Sequence, residues 1–350
     1  MGCLRRFCEK FQNRVTSATM NDTPHESPSV ASQDSQALGV AMQALVLQDF
    51  EAASQAVLHY LHQCYRFGLW MVTRTEGDDW IVLHTEDHGY GVMPGAVFRW
   101  ADSFCSEMVK GNGPRVAPDS DAVPAYAGAP INRQVPIKAY VGVPLLDANG
   151  DVFGTLCGID PQSQPANLVN DQPLFELLAA LLSALLRVEL KSVHEVRRSE
   201  RLQLEAQTDS LTQLYNRRAW DRLLAKEEER CRRYGYPAVV LCIDLDGLKR
   251  TNDTQGHPAG DALICRAADA LRKAAREADI VARLGGDEFG LIGVECDPNG
   301  AQALIARMRQ ALADFGVEAS IGMAQRVPAE GLGSAWECAD RLMYVDKRSR

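Results

Sequence analysis

The stretch Arg283-Leu284-Gly285-Gly286-Asp287-Glu288-Phe289 decides how the C-terminal part of this chain is read. It is flanked by two short, mostly apolar runs, 280–284 and 289–294. Two such runs joined by a glycine-containing turn spell a β-hairpin with acids at its tip. Because glycine has no Cβ, Gly285 and Gly286 let a phosphate approach the backbone, and Asp287 with Glu288 offers hard oxygen ligands suited to Mg²⁺. Upstream, Ala238-Val239-Val240-Leu241-Cys242-Ile243 is too apolar and too short for anything but a buried strand, and it ends in Asp244-Leu245-Asp246. Carboxylates at a strand's C-terminal edge suit ligand binding. Together the two segments imply a phosphate site beside a metal site, whereas the turn taken alone reads equally as an ordinary acidic loop.

At 350 residues the chain exceeds one typical core and fits two domains with connecting segments. Hydrophobic residues at 46% and charged residues at 24% exclude disordered and fibrous classes. A net charge of −9 repels a polyphosphate backbone, so nucleic acid is not expected as a partner. The longest apolar run, 177–186, is about half the ~20 residues that cross a bilayer, so no membrane span is expected. Ten cysteines without a Cys-x-x-Cys pair read as reduced thiols, no secretory leader is read, and a cytoplasmic location follows. Met1-Gly2-Cys3 suggests acylation, but Arg6 stands where a myristoylation motif takes Ser or Thr.

The polar stretch 16–36 predicts a flexible tail over 1–36. A helix is expected over 37–64, with Leu45, Leu47, Ala53, Val57, Leu58 and Leu61 as its apolar stripes, opening a domain over 37–187. Strand-like runs at 68–74 and 80–85 flank the turn Glu76-Gly77-Asp78-Asp79. A second hairpin, 139–146 and 152–159, is joined by Asp147-Ala148-Asn149-Gly150, whose Asn-Gly predicts a tight turn. A helix from about residue 174 closes the unit and runs on through Leu178, Leu181, Leu185, Val188, Val193, Val196 and Leu202 at near-heptad spacing. That pattern predicts a parallel coiled-coil linker over 188–207, its rival being one amphipathic helix lying on its own domain. The order of elements resembles a GAF domain, notably in Tyr140-Val141-Gly142-Val143-Pro144-Leu145 and Phe153-Gly154-Thr155-Leu156-Cys157, with a PAS-like sensor as nearest rival. His59, His62, Cys64, His84 and His88 show no diagnostic metal spacing, and Trp70, Trp80, Trp100, Phe98 and Phe104 read first as core. An unidentified small molecule, or none, is the expected sensor ligand.

Four motifs then occur in one order: Asp209-Ser210-Leu211-Thr212-Gln213-Leu214-Tyr215-Asn216-Arg217-Arg218; Asp244-Leu245-Asp246-Gly247-Leu248-Lys249-Arg250-Thr251-Asn252-Asp253; Gly256-His257-Pro258-Ala259-Gly260-Asp261; and Arg283 to Phe289. They resemble the GGDEF family of diguanylate cyclases over 208–350. The resemblance implies an α+β (mixed α/β) chain: a GAF-like antiparallel sheet with helices, a helical linker, and a nucleotidyl-cyclase-like domain with a central sheet surrounded by helices. It implies condensation of two GTP into cyclic di-GMP and two pyrophosphates by a homodimer, with Mg²⁺ as cofactor and Mn²⁺ as an alternative. By position, Asp244 and Asp287 are the metal carboxylates, the Leu245 carbonyl contributes, and Glu288 assists the metal or hydroxyl activation. Asn252 and Asp261 read guanine, with Leu248, Gly285 and Gly286 in the substrate site; Lys249 and Lys347 meet the phosphates; Asp253 and His257 are structural. Arg276 and Asp279 stand at the spacing of the family's inhibitory RxxD site, implying product inhibition by cyclic di-GMP. Gln213, Gly247, Leu248 and Asp346 depart from the family pattern, and Asp346 with the nearby end of the chain puts phosphate affinity in question. The rival functions are a catalytically silent receptor for GTP or cyclic di-GMP that signals to a protein partner, and a ligand-binding scaffold dominated by the first domain.

Overall fold

The computed structural model describes residues 49–203 and 207–349, which fall into two compact units divided between Val193 and His194. Helix α1 (Phe50–Tyr65) starts at Phe50 because Asp49 is extended and its carboxylate accepts from the Glu51 N–H at 2.8 Å. Of the helix expected over 37–64, the part from Phe50 on is present, capped by Asp49, while residues 37–48, with Leu45 and Leu47, and the tail 1–36 lie outside the described residues. Ala53, Val57, Leu58 and Leu61 form its buried face.

Both hairpins of the first unit are present. Strands β1 (Leu69–Glu76) and β2 (Asp79–Asp87) precede β3 (Val97–Arg99), α2 (Phe104–Val109), β4 (Val116–Ala117) and α3 (Pro124–Ala127), and then come β5 (Ala139–Leu146) and β6 (Val152–Asp160). All pair antiparallel in the order β3-β2-β1-β6-β5-β4. The β5–β6 connection is a tight turn, with the Gly150 N–H donating to the Asp147 carbonyl at 3.4 Å and the Asp147 N–H to the Asp151 carbonyl at 3.0 Å, but it does not use positive φ at both Asn149 and Gly150. Only Gly150 has positive φ (88°), and the loop is organised by Asp147, whose carboxylate accepts from the N–H groups of Asn149 (2.9 Å) and Asp151 (3.0 Å).

Helix α4 (Gln172–Gln203) is continuous. Of the heptad-spaced residues, Leu178 (1% exposed) and Val193 (6%) are buried within the chain, whereas Val188 (69%) faces solvent. The buried face of α4 is therefore Leu178, Leu182 and Leu186, and Leu178 is turned away from any seam with a second copy.

In the second unit, α5 (Arg217–Tyr234), β7 (Ala238–Leu245), α6 (Leu248–Gln255), α7 (His257–Ala274), β8 (Ile280–Gly285), β9 (Glu288–Val294), α8 (Pro298–Asp314), β10 (Ala319–Gln325) and α9 (Gly331–Arg348) follow in order. The sheet order is β10-β7-β9-β8, antiparallel throughout. Alternate residues of β7 serve two cores. Val239, Leu241 and Ile243 pack with Leu263, Leu271 and Met308, while Ala238 and Val240 pack with Trp220, Leu223 and Leu332. Helices cover both faces, which is why the strand reads as an unbroken apolar run. Its polar residue, Asp244, is confined to the C-terminal end.

Candidate active site

The end of β7 and the tip of the β8–β9 hairpin form one edge. Asp244 sits opposite Glu288 in the ladder, and the Leu245 N–H donates to the Asp287 carbonyl at 3.0 Å. Gly286 turns the tip at φ 26°, and a Cβ built at Gly285 or Gly286 would meet only open space. Packing therefore does not demand glycine there, which leaves backbone conformation and access to the turn. After Asp246, Gly247 adopts φ 76° at the start of α6, a left-handed turn that favours glycine.

Asp244 is buried and carries one ion pair, from Lys347 Nζ to its Oδ1 at 2.6 Å. Burial, followed by the Asp287 and Asp246 carboxylates, raises the Asp244 carboxyl above its usual range despite the lysine. The Asp244 hydrogen bond in turn raises Lys347. Lys347 thus lies on a carboxylate of the acidic edge, 103 positions away in sequence. Asp246 accepts from the Ser320 hydroxyl at 2.8 Å. Asp346 accepts from the Ile321 N–H at 2.9 Å and lies 3.6 Å from Arg309, so this departure from the family pattern ties α9 to β10.

Lys249 is exposed in the first turn of α6, and Leu248 beside it is buried. Asn252, one turn on, is half-buried, whereas Asp253, His257 and Asp261 are exposed. The Asn252 carboxamide lies directly over the Cα of Gly260. A Cβ there would overlap Asn252 Oδ1 and stand 2.8 Å from its Cγ. The α6–α7 packing thereby brings Asn252 to the residue preceding Asp261.

Two further residues hold the turn. Arg283 donates from Nε and Nη2 to the Gly286 carbonyl at 3.2 and 3.0 Å, and its Nη1 meets Asp209 at 3.2 Å. The Thr212 N–H and hydroxyl both donate to Asp209 Oδ1, at 2.9 and 2.8 Å. Partial burial opposes ionisation of Asp209, but Thr212 and Arg283 outweigh it and hold the carboxyl below its usual range. A lowered folded pKa stabilises fully above the unfolded value and is lost as pH falls through the folded one. The melting temperature is therefore expected to fall below pH about 4, and Asp209→Asn, less stable at neutral pH, should show a shallower fall in that window.

Arg276 and Asp279 close a turn on each other. The Arg276 N–H donates to Asp279 Oδ2 at 2.8 Å and the Asp279 N–H to the Arg276 carbonyl at 3.0 Å. The Asp279 side chain is only 2% exposed, with Arg307 at 3.9 Å, while Arg276 is exposed. In the first unit, His62 and His88 stack at 3.4 Å, and Glu86 lies 2.8 Å from His88 and 3.6 Å from His59. A cavity of about 300 Å³ adjoins them, lined by Gln55, His59, His84, Thr85, Glu86 and Pro94. Trp70, Trp80 and Phe104 are core, as expected, whereas Phe98 and Trp100 are half-buried against it. Among the described residues, no group of three or more His, Cys, Asp or Glu is spaced to enclose a metal ion, and no helix is long and apolar enough to cross a membrane.

Residues 206–350 match the family described as diguanylate cyclase, GGDEF domain, and residues 46–186 match the GAF domain family. The chain thus carries a GGDEF domain over 206–350 and a GAF domain over 46–186. Among its relatives, the probable diguanylate cyclase DgcJ of Escherichia coli K12 is 31% identical over 174 residues, which cover 49% of this chain and 35% of the relative. The diguanylate cyclase DgcP of the same organism is 28% identical over 263 residues, covering 72% and 75%. The chain spans 35% to 43% of the length of DgcJ and of the probable diguanylate cyclase DgcC. Among solved structures, the GGDEF domain of DgcB from Caulobacter crescentus in complex with c-di-GMP is 30% identical, with a TM-score of 0.40, covering 41% of this chain and 91% of that one. In the GGDEF domain, the supporting roles of Asp209, Arg283 and Gly260 carry no signal in composition or periodicity. Their presence in the quoted motifs was the available clue.

Proposed function

We propose that this protein is a diguanylate cyclase that condenses two GTP into cyclic di-GMP and two pyrophosphates as a homodimer, regulated by its GAF domain and by product at Arg276 and Asp279. One observation carries the reading: Asp244 and Asp287 share one sheet edge beside an open glycine turn, with Lys347 as counter-ion. This donor set fits Mg²⁺, or Mn²⁺ in its place. Such a cation is held by one or two carboxylates plus substrate phosphates rather than by an all-protein cage. When bound, the metal neutralises triphosphate oxygens and polarises the α-phosphorus.

The chain's own residues do the rest by positioning. Asp244 and Asp287, with the Leu245 carbonyl, supply the metal-facing oxygens, and Glu288 assists activation of the attacking 3′-hydroxyl. Gly285 and Gly286 admit the phosphates, and Lys249 and Lys347 orient them. Asn252 and Asp261 offer the acceptors and donors that guanine satisfies and adenine does not, with Leu248 beneath them. Each GGDEF domain holds one GTP, so two domains face each other for each 3′-hydroxyl to reach the opposite α-phosphorus. α4 is the element that would hold two copies in register.

The rival, a silent receptor, conflicts with the intact acidic edge and guanine readers. Purified chain incubated with GTP and Mg²⁺ is expected to yield one cyclic di-GMP per two pyrophosphates. GTP binding without either product would instead establish the receptor.

A further inference from the structure

The last turns of α4 are fastened to the second unit along one helix face. Arg197, only 7% exposed, donates to Glu227 at 2.8 and 3.3 Å and to Glu295 at 2.5 Å. Three residues on, Glu200 pairs with Arg230, which also holds Glu227 at 3.2 Å. One residue further, the Arg201 guanidinium donates through Nη1 to the Glu277 carbonyl and through Nη2 to the Ala278 carbonyl. Glu277 and Ala278 are the two residues between Arg276 and Asp279.

We propose that Arg201 is a positioning residue that joins α4 to the Arg276–Asp279 turn, so that the state of the helix and the occupancy of that turn set each other. This inference rests on the reading of the turn as the product site. The turn is a closed unit, held by the reciprocal Arg276 and Asp279 bonds, and its outward carbonyls are what Arg201 grips. These carbonyls lie where water reaches them, so satisfying buried backbone is not what the fork is for. Two donors of one planar group on consecutive carbonyls fix the orientation of the turn, and with it the direction in which Arg276 points. Since Arg197 and Glu200 fix the same helix face, displacing α4 strains the turn and tightening the turn restrains α4. A coupling of this kind is reciprocal: whatever helix state raises product affinity is the state that product favours.

The test uses the full chain and added cyclic di-GMP, with affinity measured by calorimetry and GTP turnover measured while product is continuously removed. Arg201→Met keeps the side-chain stem and removes the fork, and Arg201→Lys restores one donor. The expected result is a loss of product affinity of about ten-fold in Arg201→Met, partial recovery in Arg201→Lys, and turnover without product within about two-fold of wild type. Arg276→Ala is run beside them and should abolish product binding at this turn. If Arg276→Ala abolishes binding while both Arg201 variants bind as wild type, the coupling is overturned and the product-site reading stands. If Arg276→Ala binds as wild type, the product-site reading fails and the coupling falls with it. A collapse of product-free turnover in Arg201→Met that Arg201→Lys does not relieve would also overturn the proposal, because it would mark a purely structural role.

Discussion

Asp287→Asn is expected to lower cyclic di-GMP synthesis by about a thousand-fold or more while leaving the folded state intact. The turn is held through backbone groups: the Asp287 carbonyl accepts from Leu245, and the Gly286 carbonyl accepts from Arg283. An asparagine keeps both and changes only the charge of the side chain. The edge then loses one of the two carboxylates proposed to face a divalent cation, and the neutral amide is a much poorer ligand for Mg²⁺. Chromatographic product analysis and a thermal melt on the same preparation separate the two effects. Turnover near the wild-type level in a normally melting variant would refute the assignment of Asp287.

Gly260→Ala is the second large effect, and it separates recognition from stability. The added methyl overlaps the Asn252 carboxamide, the far end of a flexible side chain, so the helix pair can accommodate it by rotating that group away. The expected stability cost is under about 1 kcal/mol. The carboxamide is a guanine reader in the proposed site, and a shift of about 1 Å at such a group costs on the order of 100-fold in kcat/KM. The loss should be concentrated in GTP binding, with weaker discrimination against ATP measured by competition. An unchanged KM for GTP would show that Asn252 is not positioned through Gly260.

Local pattern carried much of the fold. The apolar run of β7, the β8–β9 hairpin and both hairpins of the first unit are legible because alternating or continuous burial writes itself into neighbouring residues. What escaped the sequence depends on distance or on single side chains. Asp49 caps α1 within the expected helical run, and Asp147 organises the β5–β6 turn by gathering two backbone N–H groups, so that only Gly150 takes positive φ. Strands β3 and β4, three and two residues long, are too short to show a period. At the site, the acids and glycines announced themselves as a cluster, but the Lys347–Asp244 pair joins residues 103 apart. The support of the turn by Arg283 and Asp209 likewise exists only once Asp209 is brought across 74 positions.

α4 runs for 32 residues, and at 1.5 Å per residue that is a rod of about 48 Å. After Pro173 it holds neither proline nor glycine, the usual places where a helix bends. In the proposed cyclase, a helix without such a breaker would convey angle and phase. On the proposed regulation, such a junction would work by geometry, whatever the first domain detects. On that reading, another module ending in a helix of the same pitch and phase would engage the C-terminal domain in the same terms.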